Sequence, residues 1–439
     1  MIAADKSGSG KTTLTTGIIR HLTNKGMAVA PFKCGPDYID TLHIQLASGR
    51  HSYNLDTVMV NPDTVSDIFA DGCRDADVAV TEGVMGVFDG VDSRTFKGSS
   101  ADIASVIDSP IVMLLDCSGS SFTPAALVRG IEQMCSASIK GVVLNNIASE
   151  RHAMLVRNAI SYHTDAEVVG VLPKNTDKLV ESRHLGVKTA LEIDEPYFDI
   201  CAEFVAENVD ISTILQICEA EKPIAPPKKL SKPDKVAYLA YDKAFQFYYN
   251  ANIDYLDSKG FAIKYFSPLN GDVPEDADFI YLGGGYPELY ARELAEDNMT
   301  SIFLRDYVKH GGFLYAECGG LMYLSNGIHT DDGFYNTAGV IDAECRMCNK
   351  RQALGYVRAE IKKDCMMGQK GAVNIGHEFH YSTLERYSGE FAYNVSRVTD
   401  GKKSEDGICV NNAFASYTHL HFLSDNPFIS SMIDKIEGK

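Results

Sequence analysis

The residues best suited to chemistry stand at the start of the chain, in Ser7-Gly-Ser-Gly-Lys-Thr-Thr13. Glycines let backbone N–H groups close around phosphate oxygens. Lys11 has the length to reach the terminal phosphates of a nucleotide, and the Thr12 hydroxyl can ligate magnesium. Ser7, Gly8, Gly10 and Thr13 complete the cradle, and a helix starting here points its positive end at the anion. A glycine turn opening a helix would explain the glycines but not a lysine and threonines set between an apolar run and an amphipathic helix. Asp5 stands where the common phosphate-loop pattern has its first glycine, and only Met1–Ala4 precede the loop, so the first strand is expected to be short.

Acids follow at two places. In Phe32-Lys-Cys-Gly-Pro-Asp-Tyr-Ile-Asp40, Asp37 and Asp40 fall three apart, where Pro36 favours a turn and then a helix start. Carboxylates there can cap the helix or hold a metal through water, and taken alone capping is the simpler reading. In Val78-Ala-Val-Thr-Glu-Gly-Val-Met-Gly-Val-Phe-Asp-Gly90, Glu82 ends a buried strand. Beside a phosphate loop, that acid is a magnesium partner; without one it would be a satisfied acid at a strand end.

The second reactive element is Gly311-Gly-Phe-Leu-Tyr-Ala-Glu-Cys-Gly-Gly-Leu-Met322. An apolar strand runs into Cys318, then glycines, then an amphipathic segment, the pattern of a nucleophile elbow. Helix N-termini favour thiolate, and the Gly319 N–H can face a developing oxyanion. A lone cysteine is usually structural. The glycines after Cys318, and the upstream loop Gly283-Gly-Gly-Tyr-Pro-Glu288 with Gly284 as a second oxyanion donor, favour a nucleophile. Its base is sought in Ala415-Ser-Tyr-Thr-His-Leu-His-Phe422, an alternating stretch in which His419 and His421 share a face. Either can draw the proton from Cys318. His377, Glu378 and His380 can be read as metal ligands, but magnesium–phosphate chemistry needs no such site. Cys345 and Cys348 form a CxxC without a second ligand pair at zinc spacing, and read as ordinary thiols near a turn.

These groups need elements to hold them. At 439 residues the chain exceeds one ordinary core. Candidate strands are Met27–Lys33, Val78–Glu82, Ile111–Asp116, Gly141–Asn145 and Val168–Leu172. A candidate helix, Lys11–Lys25, carries Leu14, Ile18, Ile19 and Leu22 on one face. Strand–helix alternation means a parallel sheet covered on both sides, with functional groups at the carboxyl ends of its strands. The proline- and lysine-rich stretch Glu221–Asp234 breaks the pattern, and alternation resumes at Lys235–Ala240, Phe261–Phe266 and Phe279–Leu282. The expectation is an α/β protein of two domains, each a mainly parallel sheet flanked by helices. The domains span residues 1–222 and 235–439, with a linker at 223–234. The net charge of −18 argues against nucleic acid as a partner, though not against anionic substrates. No leader pattern and no membrane-spanning apolar run is seen, and the eleven scattered cysteines suit a reducing cytoplasm.

The whole length resembles the cobyrinic acid a,c-diamide synthase family. The likeness rests on SGSGKTT, FKCGPDYID and TEGVMGVFDG in the first half. In the second it rests on YLGGGYPELY, YAECGGLMYL, LGYV, GHEFHYS and ASYTHLHF. It implies a P-loop NTPase-like synthetase domain fused to a class I glutamine amidotransferase domain. It further implies ATP and Mg2+ as cofactors, and glutamine and a corrinoid or related tetrapyrrole acid as partners, with a homodimer left open. By position, Lys11 and Thr12 match the nucleotide motif, and Asp37, Asp40 and Glu82 match acids used for magnesium and substrate activation. Cys318 matches the amidotransferase nucleophile, and Asn145 falls in a Leu-Asn pair resembling a base-side loop. Two positions depart. Ala4 replaces a glycine usual at the start of the family's loop. His421 stands where many class I amidotransferases carry the orienting glutamate, which favours His419 as base and leaves the orienting group open. Relatives acting on hydrogenobyrinic acid or nickel-sirohydrochlorin share the implied chemistry. A reading of a different class is a P-loop regulatory ATPase with an inactive thiol domain.

Overall fold

The computed structural model describes residues 1–134, 138–174, 196–227, 232–296, 299–426 and 428–438. Residues 228–231 of the expected linker lie outside the described residues. The chain divides into two compact units, Met1–Pro227 and Lys228–Lys439.

The first unit is built on a seven-stranded parallel sheet. Its spatial order is Tyr53–Leu55, Val29–Cys34, Val78–Glu82, Ile2–Ala4, Ile111–Asp116, Ile139–Ile147 and Glu167–Pro173. Val29–Cys34 is buried at every residue, as a strand covered on both faces must be. Helix Lys11–Asn24 lays Leu14, Ile18, Ile19 and Leu22 on the core, none more than 2% exposed. Gly17 lets helix Pro196–Asn208 approach that helix, because a Cβ there would lie 2.4 Å from Val205. The short strand Ile2–Ala4 is flanked by Val78–Glu82 and Ile111–Asp116. The loop after it therefore opens among the carboxyl ends of its neighbours, and Glu82 stands opposite Ile2 in register.

The second unit is centred on a six-stranded sheet ordered Phe261–Phe266, Lys235–Ala240, Phe279–Leu282, Phe313–Glu317, Ala413–Ser416 and Ile408–Val410. The first five are parallel and the last is antiparallel. Side chains alternate across it. Tyr281, Tyr315, Phe414 and Phe422 fill one core, and Leu282, Leu314, Ala316 and Leu321 another. A four-stranded sheet and a five-stranded antiparallel sheet are added to this plan. The latter joins Ala353–Ile361, Val373–His380 and His419–Leu420.

Four sequence expectations change. The strand expected at Gly141–Asn145 extends over Ile139–Ile147, and the one expected from Met27 starts at Val29 and runs to Cys34. The segment after Cys318 is helix Gly319–Leu324, buried at every residue rather than amphipathic, because it lies between the central sheet and surrounding elements. The stretch Ala415–Phe422 is not one strand. Ala413–Ser416 belongs to the central sheet, the chain then crosses to the antiparallel sheet at His419–Leu420, and His421 lies beyond it. Among the described residues no helix is long and apolar enough to cross a membrane.

Candidate active site

The loop after Ile2–Ala4 turns through left-handed conformations at Gly8 (φ 75°) and Gly10 (φ 96°), which only glycine adopts without strain. Asp5, in place of the usual glycine, accepts a bond from Ser9 Oγ at 2.8 Å and ties the loop across its base. Asn145 donates to Ser9 O at 2.7 Å and lies against Gly10, so it braces the loop from the side. Ser7 is exposed on the loop and Thr13 is half-buried in the first turn of the helix. Lys11 Nζ bonds the carbonyls of Met85, at 2.5 Å, and Lys6, at 3.3 Å. Burial and the neighbouring Lys33 lower its pKa from the ordinary value.

Thr12 Oγ1 donates to Glu82 Oε1 at 2.8 Å. Glu82 is wholly buried, and its Oε2 meets no hydrogen-bond donor among the described residues. Lys33, also buried, bonds Glu82 Oε1 at 2.7 Å and Asp40 Oδ2 at 2.6 Å. Burial opposes the Lys33 charge, but the two acids outweigh it and hold the ammonium above its ordinary range. Burial pushes Glu82 up to about 7 against the pull of Lys33. Asp40 is likewise penalised by burial, yet Lys33 brings its carboxyl below the ordinary value. Asp37 Oδ1 accepts the Asp40 N–H at 2.8 Å in the first turn of helix Ile39–Ser48, and burial with Asp40 beside it pushes Asp37 up to about 6. An orphaned buried carboxylate oxygen next to a threonine hydroxyl fits a hard divalent cation with oxygen ligands.

In the second unit Cys318 sits between strand Phe313–Glu317 and helix Gly319–Leu324 at φ 49°, ψ −100°. A non-glycine residue held there is strained, as nucleophile elbows are. Glycines make the elbow fit. A Cβ at Gly320 would lie 2.4 Å from Leu282 O, and one at Gly319 would lie 2.9 Å from Gly285 N. A Cβ at Gly284 would strike His419 Cε1 at 2.8 Å. The Gly283–Pro287 loop, the elbow and His419 thus meet at backbone distance. The Cys318 N–H donates to Ser416 O, whereas the Gly319 N–H has no acceptor among the described residues.

His419 is hydrogen-bonded to Cys318, and its Nδ1 lies 3.3 Å from Glu317 Oε2. Burial works against the imidazolium, but Cys318 and Glu317 outweigh it and raise His419 to about 10. His421 does not share this arrangement, contrary to the shared face expected from alternation. Its ring stacks on Tyr249 at 5.5 Å, its Nδ1 accepts the Leu423 N–H, and burial lowers it to about 4. The chain turns out of the strand after Leu420, so period two no longer applies there.

The strand Val373–His380 splits the other histidine-rich segment. His377 pairs in register with His419, Glu378 accepts from Thr418, and His380 stacks on Tyr417 at 4.0 Å. No group of three or more His, Cys, Asp or Glu side chains placed to hold a metal ion is formed among the described residues. Cys345 is buried and accepts from Tyr417 Oη at 3.8 Å, and every cysteine among the described residues is a free thiol. Lys33 and Glu317 are not among the functional candidates read from sequence, although each lies inside a motif. The available signal was a charged residue inside an otherwise apolar strand, Val-Ala-Pro-Phe-Lys-Cys and Phe-Leu-Tyr-Ala-Glu.

Residues 1–186 match the CobQ/CobB/MinD/ParA nucleotide binding domain family, and residues 235–427 match the CobB/CobQ-like glutamine amidotransferase domain family. A cobyrinate a,c-diamide synthase of Listeria monocytogenes is 38% identical over 100% of this chain and 99% of its own. The chain belongs to the cobyrinate a,c-diamide synthase family. Similar members come from Caldanaerobacter subterraneus, 37% identical over 99% of this chain and 97% of its own, and Thermoplasma acidophilum, 38% identical over 98% and 97%. As a cobyrinate a,c-diamide synthase family member it is a glutamine-dependent carbon–nitrogen ligase with a nucleotide-binding half and an amidotransferase half.

Proposed function

We propose that the chain converts the a and c acetate carboxylates of cobyrinic acid to amides, with ATP and glutamine, in the cytoplasm. The observation that carries this reading is the likeness to cobyrinate a,c-diamide synthases over the full length of the chain. A carboxylate does not exchange oxygen for nitrogen at neutral pH, because its oxygen is a poor leaving group. Transfer of the γ-phosphoryl group gives an acyl phosphate. Ammonia then displaces phosphate, leaving the amide, ADP and phosphate.

In this reading Ser7, Gly8, Gly10 and Thr13 cradle phosphate oxygens and Asn145 braces the loop. Lys11 leaves its carbonyl partners for the transferring phosphate. Thr12, Glu82 and Asp37 would hold Mg2+, which when bound neutralises charge on the phosphate oxygens. Lys33 offsets the negative charge of Glu82 and Asp40 in a buried space. Asp40 sits where the carboxylate would be activated.

Glutamine is opened at Cys318. His419 takes the thiol proton as Cys318 Sγ attacks the amide carbon, and the carbon–nitrogen bond breaks. The imidazolium proton leaves with the nitrogen as ammonia. Water, deprotonated by His419, then cleaves the thioester to glutamate and restores the pair. The Gly319 N–H, with the adjoining Gly284 loop, would face the oxyanion.

The test is a panel of cobyrinic acid, hydrogenobyrinic acid and nickel-sirohydrochlorin, each with ATP and glutamine, read by isotopically resolved mass spectrometry. The diamide of cobyrinic acid is expected. Conversion of another acid only, or ATP turnover without amide or glutaminase activity, would overturn the reading.

A further inference from the structure

Glu317 ends strand Phe313–Glu317, directly before Cys318, and is 0% exposed. A carboxylate buried so deeply must be hydrogen-bonded, and this one meets four groups. Oε1 accepts from Tyr315 Oη at 2.7 Å and from the Leu420 N–H at 2.9 Å. Oε2 accepts from Tyr281 Oη at 2.9 Å and lies 3.3 Å from His419 Nδ1. The two tyrosines are register partners on adjacent strands, and Tyr315 shares its face with Glu317 by alternation. The Leu420 N–H belongs to the residue after His419. One carboxylate therefore holds both the histidine's ring and the backbone N–H that follows it.

The usual place for an orienting acid, two residues after the histidine, is filled by His421. His421 contacts Tyr249 and Leu423 and makes no bond to His419. We propose that Glu317 is the positioning residue for His419, accepting its Nδ1 proton so that Nε2 faces Cys318. The acid then comes from the nucleophile's strand instead of the histidine's. Glu317 acts only as a hydrogen-bond acceptor to the ring. It keeps Nδ1 protonated while Nε2 gives its proton to the departing nitrogen and takes one from water. This inference rests on the reading of Cys318 and His419 as the glutamine-hydrolysing pair.

Glu317→Gln separates positioning from packing. The glutamine keeps the volume, and its oxygen can still accept from Tyr315 Oη and the Leu420 N–H, but its NH2 group in the place of Oε2, facing Nδ1, favours the opposite tautomer. In triad hydrolases that error lowers kcat by about 10⁴-fold. The full chain carrying Glu317→Gln should lose about 10³-fold or more in glutaminase kcat, with KM for glutamine changed less than about threefold. The His419 titration, followed by NMR of 15N-histidine-labelled protein, should move to lower pH than in the wild type. Amidation from ammonium salts should persist. A kcat within about threefold of wild type, with an unmoved His419 titration, would overturn the role. Cys318→Ser runs beside it. If both variants keep glutaminase, the Cys318 reading fails; if only Glu317→Gln keeps it, the positioning role alone fails. Should Glu317→Gln not fold, the labelled wild-type protein decides. A proton on Nδ1, shifted far downfield, supports the proposal, and an unprotonated Nδ1 overturns it.

Discussion

Glu82 and Glu317 occupy equivalent places in the two units and are finished differently. Each is the last residue of a parallel strand, and each is 0% exposed. Around Glu317 the chain supplies every donor: two tyrosine hydroxyls, a backbone N–H and an imidazole. Around Glu82, among the described residues, one oxygen is served by Thr12 and Lys33 and the other meets no donor. Burial pushes Glu82 up to about 7 even beside Lys33. A buried acid whose bonds close within the chain positions a neighbour. One with an open oxygen suits a ligand from outside, here a cation arriving with nucleotide.

The contrast is broken most severely at the thiol. Cys318→Ser should lower glutamine-dependent amidation by about 10⁴-fold or more, because a hydroxyl is a far weaker acid and nucleophile than the thiol this site is built around. Ammonium salts at high pH should restore the product. A Cys318→Ser protein that still uses glutamine, measured by glutamate release, would move the nucleophile elsewhere. On the nucleotide side, Lys11→Ala should reduce amide synthesis by about 100-fold or more while basal glutaminase survives. Near-wild-type synthesis by Lys11→Ala would remove the phosphate site from its proposed place.

Lys33→Met tests the difference in wiring directly. It strips the cation from two acids, and removing one partner of a buried ion pair costs about 3–5 kcal/mol. Urea unfolding should show that loss. Glu317→Gln, which keeps neutral donors in place, should lose about 1–3 kcal/mol. Equal losses would erase the distinction between the two glutamates.

A pH series sharpens it. Burial disfavours the His419 charge, but Cys318 and Glu317 raise its pKa from 6.5 to about 10. A raised imidazole contributes stability that is fully present below 6.5 and is lost as pH rises through about 10. The urea midpoint should therefore fall between neutral pH and pH above 10 more in the wild type than in Cys318→Ser. The smallest effect is expected at His421→Ala, less than about tenfold in glutaminase kcat, because its ring packs on Tyr249 and does not touch the thiol. His419→Ala should match Cys318→Ser in the same assay.

Much of this was legible along the chain because it is local. The phosphate loop spans seven consecutive residues, and its glycines, lysine and threonines lie in one strand–loop–helix step. The elbow at Cys318 is equally compact, since glycines flank it where a Cβ would strike Leu282 O or Gly285 N. Strands Val78–Glu82, Ile111–Asp116, Lys235–Ala240, Phe261–Phe266 and Phe279–Leu282 were readable to the residue from their apolar runs. The antiparallel strands of the second unit were not. Their half-buried, mixed patterns take their meaning from partners far away in sequence.

By itself the sequence determined where a phosphate cradle and a strained thiol would form, and that two parallel sheets would carry them. Those features depend on backbone conformation and on burial periodicity, which neighbouring residues set. The tertiary structure alone decided which acid meets which base. Thr12 finds Glu82 across 70 residues, Lys33 finds Glu82 across 49, and Glu317 finds His419 across 102. It also parted His419 from His421, because the chain leaves its strand after Leu420 and sends one ring to the thiol and the other to Tyr249. Sheet order brings such pairs together, and sheet order is settled by the burial of whole strands, not by the few residues that react.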